Sequence, residues 1–315
     1  MKLVTFLLGG DVRLGAIGGE SIVDLNRAYA ALERSHARPA AQASADAVVP
    51  TEVVDFLALG DTALDAARAA IDYANALPPD LAARMLVTVS TGEAELLPPV
   101  PKPPKIICVA RNYAEHAREA GLQISEIPIV FARFTDTLVA PGGPVIRPTV
   151  SEELDWEGEL AVIIGKRGRH IDRDHAMEHI AGYSIFNDVT VRDYQFRVTQ
   201  YTSGKNFAAS GPFGPYLVLK DEVEDPHNLE ITTEVNGTVK QRGNTSDMIY
   251  DLPTILGHIS EWIALEPGDV IATGTPAGVG FKRTPPEFLR PGDVVSVTIS
   301  GLGTLTNPVH AEQER

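Results

Sequence analysis

The chain has 315 residues, and its 27 lysines and arginines against 42 aspartates and glutamates give a formal net charge of −15 and a pI of about 4.9. This acidity argues against nucleic acid and anionic membrane surfaces as partners. No segment is long and apolar enough to span a bilayer, no secretion signal is evident, and the single cysteine suits a reducing compartment. We therefore expect a cytoplasmic protein of one or two domains.

The N-terminal third differs in pattern from the rest of the chain. A strand-and-turn opening runs to Asp24, and Ala-rich segments with helical spacing follow, as at residues 61–77. Residues 98–104 then hold five prolines in seven positions, which neither a helix nor a central strand accommodates. We predict a small α/β domain over residues 1–97, a stiff linker over 98–104 and a second domain over 105–315.

In the second domain, short β-branched runs alternate with Gly and Pro turns, as at residues 268–273 and 292–299. This pattern predicts an α+β fold that is mainly β, an irregular roll or sandwich with peripheral helices; the order of the strands cannot be inferred from such short runs. The predicted helices cover residues 113–120, 172–180 and 252–262, the last after a cap at Asp251.

Two glutamates, Glu157 and Glu159, adjoin a short β-branched run that ends at Gly165. Side chains two apart on a strand share a face, and apolar residues on both faces of this run indicate a buried strand. An unpaired carboxylate in such a place loses several kcal/mol of solvation. A bound hard divalent cation explains the pair, because such ions take oxygen ligands. The alternative is a solvated strand end.

Asp188 supplies a third acid, since it follows another apolar, strand-like run. Three carboxylates leave coordination positions free for water or substrate, as expected of a catalytic Mg²⁺ or Mn²⁺ site, with Ca²⁺ also possible. A soft-metal site is disfavoured, because the pair His175 and His179 lies on a predicted helix with no third ligand nearby and is expected to be exposed.

Three further features are candidates for catalysis. His116 and Glu119 are three residues apart on a predicted helix, so the carboxylate can orient the imidazole as a general base requires; the alternative is an incidental surface pair. Lys205, in a turn-rich stretch, can hold its ammonium group over an anion, although exposed loop lysines are commoner. Residues 273–280 offer hydroxyls and backbone N–H groups suited to a carboxylate.

From Lys105 to about Val309 the chain resembles the fumarylacetoacetate hydrolase family, because an ordered set of motifs matches that family's pattern. The first hundred residues resemble the smaller N-terminal domain that many members carry. The matching segments are Cys108–His116, Glu157–Leu160, Phe186–Asp193, Gly204–Lys205, Asn244–Met248 and Thr273–Gly280.

The resemblance implies a compact mixed-β catalytic domain that is usually dimeric, and it implies which residues of this sequence form the active site. The chain departs from the family at Arg133, where many members have lysine, and at residues 206–210, which are poorer in Ser, Asp and Thr. The resemblance implies Mg²⁺ or Mn²⁺ on Glu157, Glu159 and Asp188, a water-activating pair of His116 and Glu119 on a lid, and Arg111, Gln195, Lys205 and Thr275 near the substrate.

The resulting hypothesis is hydrolysis of a carbon–carbon bond in a 2,4-dioxo acid, such as an acylpyruvate, through a metal-stabilised pyruvate enolate. His116 would activate the water, and Lys205 would support the enolate or supply the final proton. Oxaloacetate decarboxylation, ureidoglycolate cleavage, and hydration or isomerisation of a 2-oxo acid use the same electron sink and remain open. A non-catalytic metal-binding protein is the alternative of another class. The expected partners are a small 2-oxo acid and a second copy of the chain in a homodimer.

Overall fold

The computed structural model of the chain describes residues 1–119 and 125–313, and within this part the side chains of His116, Ala117 and Glu119 lie outside the described set. Strands outweigh helices, and the helices lie at the periphery. The strands are β1 (Lys2–Leu8), β2 (Asp11–Gly18), β3 (Ser21–Asp24), β4 (Thr88–Ser90), β5 (Glu95–Leu96), β6 (Ile106–Ala110), β7 (Ile129–Arg133), β8 (Leu138–Val139), β9 (Val145–Arg147), β10 (Leu154–Asp155), β11 (Gly158–Ile164), β12 (Ile180–Asn187), β13 (Thr190–Val191), β14 (Gly211–Leu219), β15 (Glu230–Val235), β16 (Thr238–Asn244), β17 (Val270–Ala272), β18 (Val294–Ile299) and β19 (Gly303–Ala311). The α-helices are α1 (Leu25–Ser35), α2 (Ala41–Val48), α3 (Val53–Ala58), α4 (Asp61–Ala76), α5 (Pro79–Arg84), α6 (Ala114–Glu119), α7 (Arg192–Gln195), α8 (Thr202–Lys205) and α9 (Leu252–Trp262). Short 3₁₀ helices cover Thr135–Thr137, Arg173–His179, Lys220–Glu222, Thr245–Asp247 and Gly280–Lys282.

Two sheets pack face to face. The larger has the order β4-β3-β2-β1-β14-β12-β11-β17-β6-β7 and the smaller the order β16-β15-β18-β19-β9. Leu160 and Val162 of β11 share a buried cluster with Ile231 and Val297 of the smaller sheet. Ala161, from the other face of β11, belongs to the cluster that also includes residues of α1, α3 and α4. Burial of β11 on both faces is therefore confirmed, as is the predicted fold class of a mainly β sandwich with peripheral helices.

The long N-terminal helix packs through small side chains. Ala63, Ala67, Ala70 and Ala74 of α4 are buried, at spacings of three and four residues that place them on one face. Because alanine has only a methyl group, this face allows close approach of α1. The predicted helix over residues 61–77 is confirmed, with its end one residue earlier.

The N-terminal part adds strands to the larger sheet. β1 is antiparallel to β14, with Leu3 opposite Leu217. Residues 98–104 contain no helix or strand, and the hydroxyl of Thr5 donates a hydrogen bond to the carbonyl of Pro99. The division into domains at this segment stays a prediction.

Two of the predicted helices allow a direct comparison. Helix α9 has the predicted bounds, and the carboxylate of Asp251 accepts a hydrogen bond from the backbone N–H of Thr254 as an N-cap does. Residues 172–180 differ, because the segment is a 3₁₀ helix whose three-residue turns bring His175 within 2.9 Å of Glu178. No helix in the described part of the chain combines the length and apolar composition that a membrane crossing requires.

Candidate metal centre and active site

Three buried carboxylates meet where β11 begins and β12 ends. These strands are antiparallel, and Gly158 lies opposite Asn187, so the residues flanking this pair are neighbours in space. The backbone N–H of Asp188 donates to the carbonyl of Glu157 at 2.8 Å. One oxygen from each of Glu157, Glu159 and Asp188 lies within 4.8 Å of the others. Glu157 lies one residue before the strand, yet it is 6 % exposed, so the solvated alternative does not apply.

Cationic side chains from distant segments contact two of these acids. The ammonium group of Lys205 lies 2.5 Å from Glu157 Oε2 and 2.5 Å from Asp188 Oδ2. Arg133 Nη1 donates to Asp188 Oδ1 at 2.5 Å, and Arg192 Nη2 lies 2.7 Å from Glu157 Oε1. From the sequence, a bound metal ion was the predicted compensating charge, and the structure adds three cationic side chains to it. The run from Leu154 to Gly165 contains no basic residue, so the local sequence could not reveal these partners.

The electrostatics of the site follow from burial and from these neighbours. Burial, and then the charges of Asp188 and Glu157, raise the pKa of Glu159 well above its usual range. Its Oε2 accepts a hydrogen bond from the backbone N–H of Gly274 at 2.8 Å. Burial by itself would lower the pKa of Lys205, but the charges of Asp188 and Glu157 outweigh burial and raise it. Lys205 is therefore held as an ammonium ion, and Glu159 is stabilised by added positive charge.

The donor set suits a hard divalent cation. Each carboxylate oxygen accepts more than one interaction, so oxygens that already face Lys205 or an arginine retain lone pairs for a metal. All three ligands are oxygen donors, as Mg²⁺, Mn²⁺ and Ca²⁺ prefer. Among the side chains that the structure describes, which do not include those of His116 and Glu119, this is the one group of three candidate ligands close enough to share an ion. His175 is exposed and bonded to Glu178, in agreement with its predicted surface position.

A pocket that opens to solvent lies above the three acids. Arg111, Gln195, Lys205 and Thr275 all line it, so the structure brings together the described substrate-site candidates. Arg111 has a positive φ of 58°, an uncommon conformation that turns the chain at the end of β6. The sequence analysis missed several other lining residues. One is Arg192, which lies four residues after Asp188 in the motif Phe186–Asp193. The others are aromatic, and the sequence gives no evident signal for them: Phe131, Phe196, Tyr201 and Phe281.

Residues 273–280, the segment predicted to suit a carboxylate, bind carboxylate side chains of this same chain through backbone N–H groups. The N–H of Gly274 donates to Glu159, and the N–H groups of Gly280 and Phe281 donate to Asp155. The hydroxyl of Thr275 donates to the carbonyl of Gly158 at 2.9 Å. These groups fix the floor of the site, and the carboxylates that the backbone N–H groups bind are those of Glu159 and Asp155.

His116 and Glu119 belong to α6, which follows the pocket-lining end of β6 after three residues. Their side chains lie outside the described residues, so their pairing stays a prediction. The start of this segment is anchored, because the Asn112 side chain donates to the carbonyls of Thr273 and Tyr250.

Comparison with known proteins now identifies the family. The family model described as fumarylacetoacetate (FAA) hydrolase C-terminal matches residues 105–310. The chain belongs to the fumarylacetoacetate hydrolase family.

Relatives of this family member match it over nearly its whole length, and their names state an enzymatic activity. It is 38 % identical over 315 residues to the human protein named oxaloacetate tautomerase FAHD2A, mitochondrial, with 98 % of this chain and 91 % of that protein covered. It is 39 % identical over 314 residues to oxaloacetate tautomerase YisK of Bacillus subtilis, with 98 % and 100 % covered. The solved structure of maleylpyruvate hydrolase from a Sphingobium species, in complex with manganese(II) and pyruvate, has a TM-score of 0.73 at 29 % identity and covers 99 % and 100 %. The chain is therefore an enzyme of this superfamily, with a site suited to a divalent metal.

Proposed function

We propose that this family member is a divalent-metal-dependent enzyme that interconverts the enol and keto forms of a small 2-oxo dicarboxylic acid, oxaloacetate or a close analogue. The observation that carries the proposal is the position of Lys205, whose buried ammonium group contacts both Glu157 and Asp188 at the floor of the pocket. A proton donor thus adjoins a site suited to a divalent cation. The names of the human and Bacillus subtilis relatives support the same reaction.

The charge of the pocket favours a dianion. Lys205, Arg133 and Arg192 offset most of the negative charge of the three acids and of the adjoining Asp155. A divalent cation held by the acids makes the floor positive, and Arg111 adds a further positive charge to the lining. Such a local excess attracts a substrate with two carboxylates, although the chain as a whole is acidic.

The residues of the floor have distinct proposed roles. A divalent cation bound by Glu157, Glu159 and Asp188 would stabilise the negative charge on the oxygen of an enolate. Lys205 holds a proton at Nζ and is oriented by its carboxylate partners, so we assign it the proton that is added to C3 when the enol becomes the keto form. The hydroxyl proton of the enol leaves to solvent, and a solvent proton restores the ammonium group. Arg111 and Gln195 would bind the polar ends of the substrate. The metal we propose is Mg²⁺ or Mn²⁺, and Ca²⁺ takes the same type of ligand.

Hydrolysis of a 2,4-dioxo acid such as an acylpyruvate is the second candidate. It is supported by the similarity to the maleylpyruvate hydrolase that was solved with manganese(II) and pyruvate. This reaction needs an activated water, a role that we would assign to His116 with Glu119. Decarboxylation of oxaloacetate requires the same stabilisation of an enolate and is tested by the same comparison of substrates, as is ureidoglycolate cleavage.

The test is a comparison of substrates and of two lysine variants. Freshly dissolved enol-oxaloacetate is followed by its ultraviolet absorbance. Pyruvate release is measured from oxaloacetate and acylpyruvates, and glyoxylate release from ureidoglycolate, each with Mg²⁺, Mn²⁺ or chelator. We expect metal-dependent loss of the enol, reduced about 10²- to 10⁴-fold in Lys205→Met. Lys166→Met, at an exposed lysine paired with Glu178, is the control and should match the wild type.

Each outcome of this comparison has a definite meaning. Full enol conversion by Lys205→Met would exclude the proposed proton donor. Rapid pyruvate release from an acylpyruvate, without enol conversion, would favour hydrolysis. Strong thermal stabilisation by metal without any turnover would favour a non-catalytic metal-binding protein.

A homodimer and a cytoplasmic location complete the proposal. Both remain predictions from the sequence and its family resemblance. The name of the human relative places that protein in mitochondria.

A further inference from the structure

Asp155, which has no role in the proposed reaction, is the centre of a buried network beside the metal ligands. It ends β10, two residues before Glu157, and is fully buried. Its Oδ1 accepts hydrogen bonds from the backbone N–H groups of Trp156 at 2.8 Å and Gly280 at 2.7 Å. Its Oδ2 accepts from the N–H of Phe281 at 3.1 Å and from elsewhere in the chain, so both oxygens are engaged.

The remaining partner of Asp155 is Arg192, whose guanidinium group touches three polar side chains. Its Nε donates to Asp155 Oδ2 at 2.7 Å, its Nη2 lies 2.7 Å from Glu157 Oε1, and its Nη1 donates to Gln195 Oε1 at 2.9 Å. The carbon Cζ lies 4.2 Å from the centre of the Phe281 ring. One planar group therefore links Asp155, a metal ligand and a pocket-lining amide.

The turn at Gly280 fits this network closely. A Cβ atom at Gly280 would lie 2.6 Å from Asp155 Oδ1 and 2.1 Å from the carbonyl oxygen of Glu287. Only glycine allows the backbone to approach the carboxylate to this extent. The same turn carries Phe281, which lines the pocket and also packs on Phe196, with ring centres 5.4 Å apart.

We infer that Asp155 is a positioning residue that couples the turn at Gly280 and Phe281 to Glu157 and Gln195 through Arg192. Its carboxylate fixes the plane of the guanidinium group, and its negative charge offsets the charge of Arg192. Without that offset, Arg192 would compete with a metal ion for Glu157. The inference deepens the proposed function, since Asp155 then controls both metal affinity and the shape of the pocket wall.

The test measures metal affinity and stability separately. Asp155→Asn keeps the size of the side chain but removes its charge and one acceptor oxygen. The matched control is Asp24→Asn, at a fully buried aspartate in β3 that accepts two hydrogen bonds from Arg13 and one from the backbone of Arg27. For each variant, the Mn²⁺ Kd is determined by calorimetry on chelator-treated protein, and Tm is measured without metal.

We expect Asp155→Asn to raise the Mn²⁺ Kd about 10- to 100-fold, the usual effect of losing a residue that orients a metal ligand. Asp24→Asn should lower Tm and leave the Kd unchanged. Phe281→Leu keeps every carboxylate and should raise the Kd severalfold, because Arg192 loses the ring that holds its plane.

The outcomes separate this inference from the proposed function. An unchanged Kd in Asp155→Asn, or in Phe281→Leu if the first variant does not fold, would overturn the inference. An equal rise of the Mn²⁺ Kd in Asp24→Asn would show that the effect comes from general destabilisation, and it would also overturn the inference. A wild type that binds Mn²⁺ but does not convert oxaloacetate would refute the reaction and leave the inference tested by the Kd values. A wild type that binds no Mn²⁺ would refute both.

Discussion

Replacement of Lys205 by methionine should destabilise the protein while strengthening its affinity for metal. The ammonium group is buried and neutralises two carboxylates at 2.5 Å. Removing one partner of a buried ion pair lowers the free energy of unfolding by about 3–5 kcal/mol. Because Glu157 retains Arg192 and Asp188 retains Arg133, we expect the lower end, about 3 kcal/mol. For a chain of this size the corresponding fall in Tm is on the order of 6 °C.

The same substitution adds one net negative charge beside the metal ligands. Two unit charges 4 Å apart interact by about 4 kcal/mol at an effective dielectric constant of 20. About 1.4 kcal/mol of such attraction suffices to lower the Mn²⁺ Kd tenfold, which is the change we expect. This sign is opposite to the one expected for Asp155→Asn, where an uncompensated cation is left beside Glu157.

The assay combines thermal denaturation, with chelator and with increasing Mn²⁺, and calorimetric titration of the same samples. Lys205→Met should melt below the wild type in chelator and gain more from Mn²⁺ than the wild type gains. Lys166→Met provides the matched control, because it removes an exposed lysine. Equal melting of Lys205→Met and wild type in chelator, or an equal gain from Mn²⁺, would refute the electrostatic reasoning.

Two other substitutions test separate parts of the structure. Arg133→Met should lower the free energy of unfolding by about 3–5 kcal/mol in urea titrations, because Asp188 loses a buried partner. Arg133→Lys should recover part of this, since it keeps the charge but not the full set of hydrogen bonds that the guanidinium group also donates to Thr137, Val189 and Ser210. Equal stability of Arg133→Met and wild type would show that the pair adds nothing. At Asp251, burial raises the pKa, but hydrogen bonding to Arg173 outweighs burial and the pKa falls to about 2. The ionised cap therefore stabilises the fold above the ordinary pKa of aspartate, and this stabilisation is lost as the pH falls toward 2. At neutral pH, Asp251→Ala should therefore lower the free energy of unfolding by about 1 kcal/mol, a figure that allows for solvent screening. The difference in this free energy between the variant and the wild type should narrow between pH 4 and pH 2. A difference that stays constant with pH would contradict the role assigned to Asp251.

Much of the metal site could be predicted from neighbouring residues. Glu157 and Glu159 are two residues apart beside a strand, and Asp188 follows the next apolar run. Period-two geometry and the cost of burying charge indicate a site for positive charge from these facts alone. The family motifs then supplied Arg111 and Gln195, which the structure places in the same cavity.

The cationic partners were beyond the reach of such reasoning. Lys205 is 48 residues from Glu157 in the chain, and Arg133 is 55 residues from Asp188. A lysine in a turn-rich stretch has the same local sequence whether it is exposed or buried. Its position depends on how α8 packs against neighbouring strands, and packing of that kind leaves no periodic pattern in the sequence.

The sequence by itself determined the elements whose signals are local: the cap and bounds of α9, the alanine face of α4, the two-sided burial of β11 and the acids at its start. Hydrophobic periodicity and capping act over a few residues, so they can be inferred from a single chain. Tertiary structure alone decided that β1 pairs with β14, that three cationic side chains meet the acids, and that Asp155 connects a distant turn to Glu157. These contacts depend on strand order and on side chains brought together across the sheet. The local sequence is compatible with many such pairings, and only long-range packing selects among them.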